Sequence, residues 1–415
     1  MSDHFVIYNV GVQEGIGQRT LLGKNVYVKD GKIEKICDVN NQTLSDLGVM
    51  AKIDGSGKTL MPGLIFAHTH IAYDDVCGAR DVLFKHPLTR LSFIAAKVAK
   101  KAAQLGYTTM VGAGSVACID VYLKEAIDGG LFDGPELIPC SRDIMAAGPL
   151  GSRRKDKVAH IPRDYMPVVV DEGEIDEIVN REIDDGAKII KTFATGDDQF
   201  PNARSGEELF SLAELQKIVS IAHGRSTLVR CHARGLGGIK NAIAAQVDII
   251  DHCSYADQES LELIKKNNIS IVPSFYQPLQ YLACGSQYGK HPEESDFHLE
   301  VENTRKFLPE AEAMGINISV GDDFGFAWTP HGTYHQELIA FQEQLNIPAA
   351  TIIKWATSNG AKMIGAGQNI GLLREGMQAN MILLGADPAQ DIRALTTALE
   401  RVFIAGKCIT EGQSR

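Results

Sequence analysis

The sequence predicts an α/β protein: a (β/α)8 TIM barrel with a small β-sandwich domain formed by the N- and C-terminal segments. Two observations carry this. From residue 60 onward, strand-like apolar runs alternate with amphipathic helical patterns eight times, as βα units around a parallel sheet do. At the two ends, short β-rich runs follow one another across turn pairs with no helical period, so residues 1–59 and 368–415 are expected to pair beside the barrel at 60–367.

The N-terminal runs are FVIYNV, KNVYV and KIEKICDV, punctuated by Asp30-Gly31 and Asp54-Gly55. The barrel strands are expected near 60–70, 108–114, 136–143, 187–194, 226–233, 247–254, 269–275 and 316–323. Between them lie helical patterns such as LSFIAAKVAKKAAQLG, EIDEIVNREIDDG and SLAELQKIVSIAHG, most of them ending near Gly or Asn. After a helical close, TIIKWATSNGAKMIG, the runs IGLLREG, ANMILLG and RVFIAGKCI return to strand, with turns at Glu375-Gly376 and Ala405-Gly406. Residues 144–170 and 276–295 read as long loops of the kind that form lids.

Composition narrows the function. Lys plus Arg number 41 against 52 Asp plus Glu, a net charge of −11, which leaves no electrostatic footprint for nucleic acid or an anionic membrane. No stretch approaches the ~20 apolar residues of a membrane span, and the first residues lack a signal-peptide pattern, so a cytoplasmic location is expected. The eight cysteines stand singly, without C-x-x-C pairs, and read as reduced thiols. A small-molecule substrate is the expected partner; a homo-oligomer is compatible with the size, but no interface is legible.

The residues that carry chemistry recur at strand ends. His68 and His70 end the first barrel strand and, two apart, face the same side. Lys191 ends the fourth strand, His232 the fifth, His252 the sixth and Asp323 the eighth. In a parallel barrel these ends meet at one face, where such enzymes place their active sites. Imidazoles and a carboxylate suit zinc first, with manganese, cobalt or iron also accepted, and a metal with an open position activates water. An unpaired Lys191 ammonium inside the barrel needs a partner, either an aspartate or a changed chemical form. No G-x-S-x-G elbow, phosphate loop or dinucleotide fingerprint is present, and Gly112-Ala113-Gly114 resembles the last only superficially.

The segment Ile53-Asp54-Gly55-Ser56-Gly57-Lys58 followed by LMPGLIFAHTH, with Lys191, His232, His252, GDDFG at 321–325 and the closing ATSNGAKMIGAGQNIGLLREGMQANMILLGADP, resembles the amidohydrolase superfamily over nearly the whole chain. It is most similar to the imidazolonepropionase and Xaa-Pro dipeptidase branch. The resemblance implies two divalent metal ions held by His68, His70, His232, His252 and Asp323, and bridged by a carboxylated Lys191. It implies Asp323 as general acid/base, because GDDFG aligns with Gly-Thr-Asp-x-Gly and puts Asp322 at the Thr position. Phe66 replaces a common Asp, and Ala147-Gly148-Pro149 and Arg234 replace the residues of dipeptidase-like members.

The expected reaction is hydrolysis of a C–N bond, in an amide, urea, carbamate or cyclic amide, by metal-activated hydroxide. The alternatives are a dipeptidase or N-acyl amino acid hydrolase, and an inactive scaffold, which would show lost ligand positions. Tyr73, Arg142, Arg153, Arg154, Arg234, Tyr276, Trp328 and His331 are the substrate-binding candidates, with Arg234 and His331 first among them.

Overall fold

The computed structural model describes residues 4–39, 51–147, 165–197 and 204–411. Arg153, Arg154 and most of the expected lid at 144–170 lie outside them. Strands β1 (His4–Val12), β2 (Leu21–Lys29) and β3 (Lys32–Asp38) form an antiparallel meander. The β2–β3 turn is Asp30-Gly31, with φ of 48° and 76°, the left-handed pair that matches strand twist in a two-residue hairpin. Strands β4 (Ala51–Asp54) and β5 (Thr59–Pro62) run parallel to β1.

The apolar run expected as one strand at 60–70 is divided: β5 belongs to the terminal sheet, and β6 (Leu64–Thr69) is the first barrel strand. Gly63 is the joint. A Cβ there would stand 2.2 Å from Thr108, so only glycine lets the chain pass from one sheet to the other. Strands β7 (Tyr107–Gly112) and β8 (Glu136–Ile138) follow in parallel, and β9 (Met145–Ala146) pairs with β10 (Val168–Val169) beyond the third barrel strand. Then come β11 (Ile189–Phe193), β12 (Leu228–Ala233), β13 (Ile249–His252), β14 (Ser270–Pro273) and β15 (Asn317–Ile318), all parallel.

Two joints close the ring. Ser141 N–H donates to Ile189 O at 2.8 Å and Lys188 N–H to Pro139 O at 2.9 Å, tying the third strand to β11. Ala67 N–H donates to Val320 O at 2.8 Å, tying the eighth to β6. Helices between the strands bury one stripe each; Leu88–Gln104 buries Leu91, Ala95, Val98, Ala99 and Ala102, at helical spacing. Ser211 and Glu214 form a reciprocal capping box at the start of Leu212–Gly224.

At the C-terminus, β16 (Met381–Leu384) pairs antiparallel with β5, and β17 (Leu399–Ile404) and β18 (Lys407–Glu411) extend the sheet. In sheet order β17 and β1 are three strands apart, ~14 Å in a flat sheet. Yet the Phe5 and Phe403 rings stack at 5.4 Å, so the sheet folds over onto its own apolar face as a small sandwich.

Two further local expectations are corrected. IGLLREG is not a strand but a turn-rich segment ending at Glu375-Gly376. Residues 276–295 are not a loop: Tyr276–Cys284 is α-helical and short 3-10 turns follow, because Leu279 and Leu282 find a packed core to face. The helical close carries one π turn at Trp355–Asn359, where Asn359 reaches aside to donate to Ile318 O at 2.7 Å. All eight cysteines are free thiols.

Candidate active site

His68, His70, Lys191, His232, His252 and Asp323 come together at the C-terminal mouth of the barrel, and all are buried. Asp323 Oδ1 lies 2.9 Å from His68 Nε2 and 3.2 Å from His70 Nε2, and the two nitrogens are 3.3 Å apart. The Nδ1 of His68 faces Asp251 Oδ1 at 3.2 Å, which turns its Nε2 lone pair toward the cluster. Burial pulls the pKa of His70 down to about 4, against the pull of Asp323. Burial, helped by Arg234, also holds His232 and His252 well below the ordinary imidazole range. Burial alone would raise Asp323, but the neighbouring histidines, His68 foremost, hold it well below the usual carboxylate range.

Neutral imidazoles facing a carboxylate are acceptors facing acceptors, the arrangement a cation resolves. His68, His252 and Asp323 offer ligand atoms all within 4.8 Å of one another. Both ring nitrogens of His252 and the Nδ1 of His70 are buried without a hydrogen-bond partner. An unmet buried polar atom costs about 1–3 kcal/mol, so the donor set fits a divalent metal.

Beneath the histidines lies a network of charges. Lys191 Nζ donates to Asp251 Oδ2 at 2.6 Å, and Arg230 makes two bonds to the same carboxylate as well as reaching Ala67 O and Gly112 O. Despite burial, Arg230 and Lys191 hold Asp251 well below the carboxylate range. Successive strand residues ordinarily face opposite ways, so Asp251 and His252 should not both point inward. They do because His252 takes a left-handed φ of 68°, followed by Cys253 at 58°, a strained backbone of the kind held at functional sites.

Asp322 and Asp323 separate cleanly. Asp322 accepts from Ser274 Oγ and from the backbone N–H of Phe275, Gln277 and Asp323, bracing the loop after β14, while Asp323 faces the histidines. The pocket above them holds about 600 Å³, counting space open to solvent, and its wall adds Tyr73, Val82, Asp143, Met166, Phe193, Asp197 and Phe326.

Of the substrate-binding candidates among the described residues, only Tyr73 is in that wall, its ring stacked on His70 at 4.4 Å. Arg234 is fully buried and bonded to Asp197 Oδ2 at 2.7 Å and Glu300 Oε2 at 2.6 Å, so its charge is spent inside the protein. Arg142 is held by Glu182 and Asp185. Trp328 packs against Tyr281 and Phe326, Tyr276 stacks on Phe324, and His331 Nδ1 bonds Tyr334. Among the described residues, then, Arg142, Arg234, Tyr276, Trp328 and His331 do not line this pocket.

Comparison with known proteins agrees with the geometry. The model of the amidohydrolase family matches residues 59–409. The chain belongs to this family. The amidohydrolase is 29% identical to the ochratoxinase of Aspergillus niger over 374 residues, 84% of this chain and 75% of that one. It is 22% identical over 434 residues to a 5-methylthioadenosine/S-adenosylhomocysteine deaminase of Halothermothrix orenii, covering 97% and 90%. In fold it is similar to a Xaa-Pro dipeptidase crystallised with bound methionine, with a TM-score of 0.85, 23% identity and coverage of 99% and 100%. As a member of this family it is an enzyme acting on carbon–nitrogen bonds. Among the described residues no helix is long and apolar enough to cross a membrane.

Proposed function

We propose that this amidohydrolase hydrolyses an amide-type C–N bond of a small molecule with the aid of divalent metal. The observation that carries the reading is the meeting of Asp323 with His68 and His70, beside His232 and His252, at the mouth of a closed barrel. These five residues would hold the metal, zinc first and manganese, cobalt or iron as alternatives. When bound, such a metal supplies an activated water and polarises a carbonyl oxygen. Asp323 then accepts the proton of the attacking water and passes it to the departing nitrogen, so the carbonyl carbon gains oxygen as the amine leaves protonated. Burial of His70, His232 and His252 keeps their lone pairs available at neutral pH.

Two ions bridged by a carboxylated Lys191 would require the Lys191–Asp251 ion pair to open, leaving Asp251 to Arg230. A small-molecule amide, urea, carbamate or cyclic amide is preferred to a dipeptide or N-acyl amino acid. The support is that, among the described residues, the cations at the site, Lys191, Arg230 and Arg234, are already paired with carboxylates of the protein. The test is a hydrolysis screen of aryl amides, ureas, carbamates and dipeptides, with Asp323→Asn beside wild type. Turnover should fall about 10²- to 10⁴-fold in the variant; equal turnover in both would refute the assignment.

A further inference from the structure

Asp143 follows the third barrel strand and is 8% exposed, and it stands in the pocket wall. Its Oδ1 is buried without a hydrogen-bond partner. The other carboxylates of that wall are engaged, Asp323 with His68 and His70 and Asp197 with Arg234. Burial pushes the Asp143 carboxyl up to about 7, against the pull of Lys191 and His68, which marks a group that water does not serve.

The backbone around Asp143 is fixed on both sides. Ser115 N–H donates to Ser141 O at 2.9 Å, and Ile144 N–H donates to Lys191 O at 3.1 Å. Room for the carboxyl is made by the second glycine of Gly112-Ala113-Gly114. A Cβ on Gly114 would stand 2.0 Å from Asp143 Oδ1, and its φ of 137° is one that side-chain-bearing residues rarely adopt. The first glycine, Gly112, clears Cys140 and Asp120 in the same way. The motif is thus a fitting for the third-strand loop, not a nucleotide cradle. A carboxyl fixed in the pocket wall, nine-tenths buried and with one oxygen unmatched inside the protein, suits a donor that enters the pocket.

The rest of the wall says what accompanies that donor. Tyr73, Phe193, Phe326 and Met166 form an apolar and largely aromatic surface. The cations nearest the pocket are taken, Lys191 and Arg230 by Asp251 and Arg234 by Asp197 and Glu300. Among the described residues, then, the pocket offers an unmatched carboxyl and a hydrocarbon wall, with no unclaimed side-chain cation for a ligand carboxylate.

We propose that Asp143 is a specificity-determining residue, accepting a hydrogen bond from a ligand N–H group, an amine, amidine or unsubstituted amide nitrogen, carried beside an aryl or similar apolar group. This rests on the barrel mouth being the substrate site, and it does not depend on which bond is cleaved.

The test measures binding rather than turnover, so failure of the hydrolase reading would appear in the substrate screen and not here. Benzamidine and N,N-dimethylbenzamide are titrated by ligand-observed NMR into the protein as purified, with its metal content measured, and into Asp143→Asn, Asp143→Ala and Gly114→Ala. A charge-assisted hydrogen bond predicts benzamidine weakened roughly 10- to 100-fold in Asp143→Ala, and less in Asp143→Asn. N,N-dimethylbenzamide, which has no N–H, should bind all folded variants alike. Gly114→Ala displaces the carboxyl without removing it and should show the benzamidine loss even if the Asp143 variants do not fold. Unchanged benzamidine affinity in the variants, or loss of metal from folded Asp143→Asn, would each overturn the proposal, the second by making Asp143 a metal ligand.

Discussion

The terminal sandwich and the mouth end of the barrel both bury their side chains, yet one is packed with hydrocarbon and the other with charge. Phe5, Ile7, Val10, Val26, Val28, Met381, Leu383 and Phe403 make up most of the sandwich core. In the barrel, Arg230 and Asp251 are fully buried at the level where most barrels stack aliphatic side chains. The sandwich is thus held by area removed from water, which is non-directional and forgiving. The barrel mouth is held by directional bonds, in which each group is tolerable only while its partner remains. Stability and function are divided between the two regions on that basis.

The sharpest way to break this contrast is to remove one side of the barrel network. Arg230→Ala leaves Asp251 with Lys191 and His68 and strips donors from Ala67 O and Gly112 O. Loss of one partner of a buried pair predicts destabilisation of about 3–5 kcal/mol by urea unfolding. A loss under about 1 kcal/mol would mean that the network is ornamental. The sandwich should answer more softly. Ile7→Val removes one methylene from an apolar core and should cost about 0.5–1.5 kcal/mol, with metal content and catalysis unchanged. A change in metal content there would show that the two regions are not independent.

What could be read from the sequence follows the same division. Alternating apolar residues and turn pairs disclosed β1, β2 and β3, and the periodic switch at residue 60 disclosed the barrel, because those signals are local. His68 and His70 were legible as two residues on one strand face. Arg230 was legible in principle, two residues before His232 on the same face, but a lone arginine in an apolar run does not announce its partner. Asp251 was hidden, because strict alternation turns it outward and only the left-handed φ of His252 brings both inward. Arg234 shows the opposite failure. Its strand face was read correctly, but Glu300, which claims it, lies 66 residues away on the helix Phe297–Ala313. Asp143 carried no signal except the glycine at 114 that makes space for it.

The most direct test of the account is elemental analysis of the protein purified without added metal or chelator, beside a His68→Ala, His70→Ala double variant that remains folded. The account predicts at least one tightly held divalent ion per chain in wild type and its loss in the double variant, with a further Lys191→Ala variant separating one ion from a bridged pair. Wild type that holds no metal, or a double variant that keeps as much, would contradict the reading of the barrel mouth as a metal-dependent hydrolytic centre.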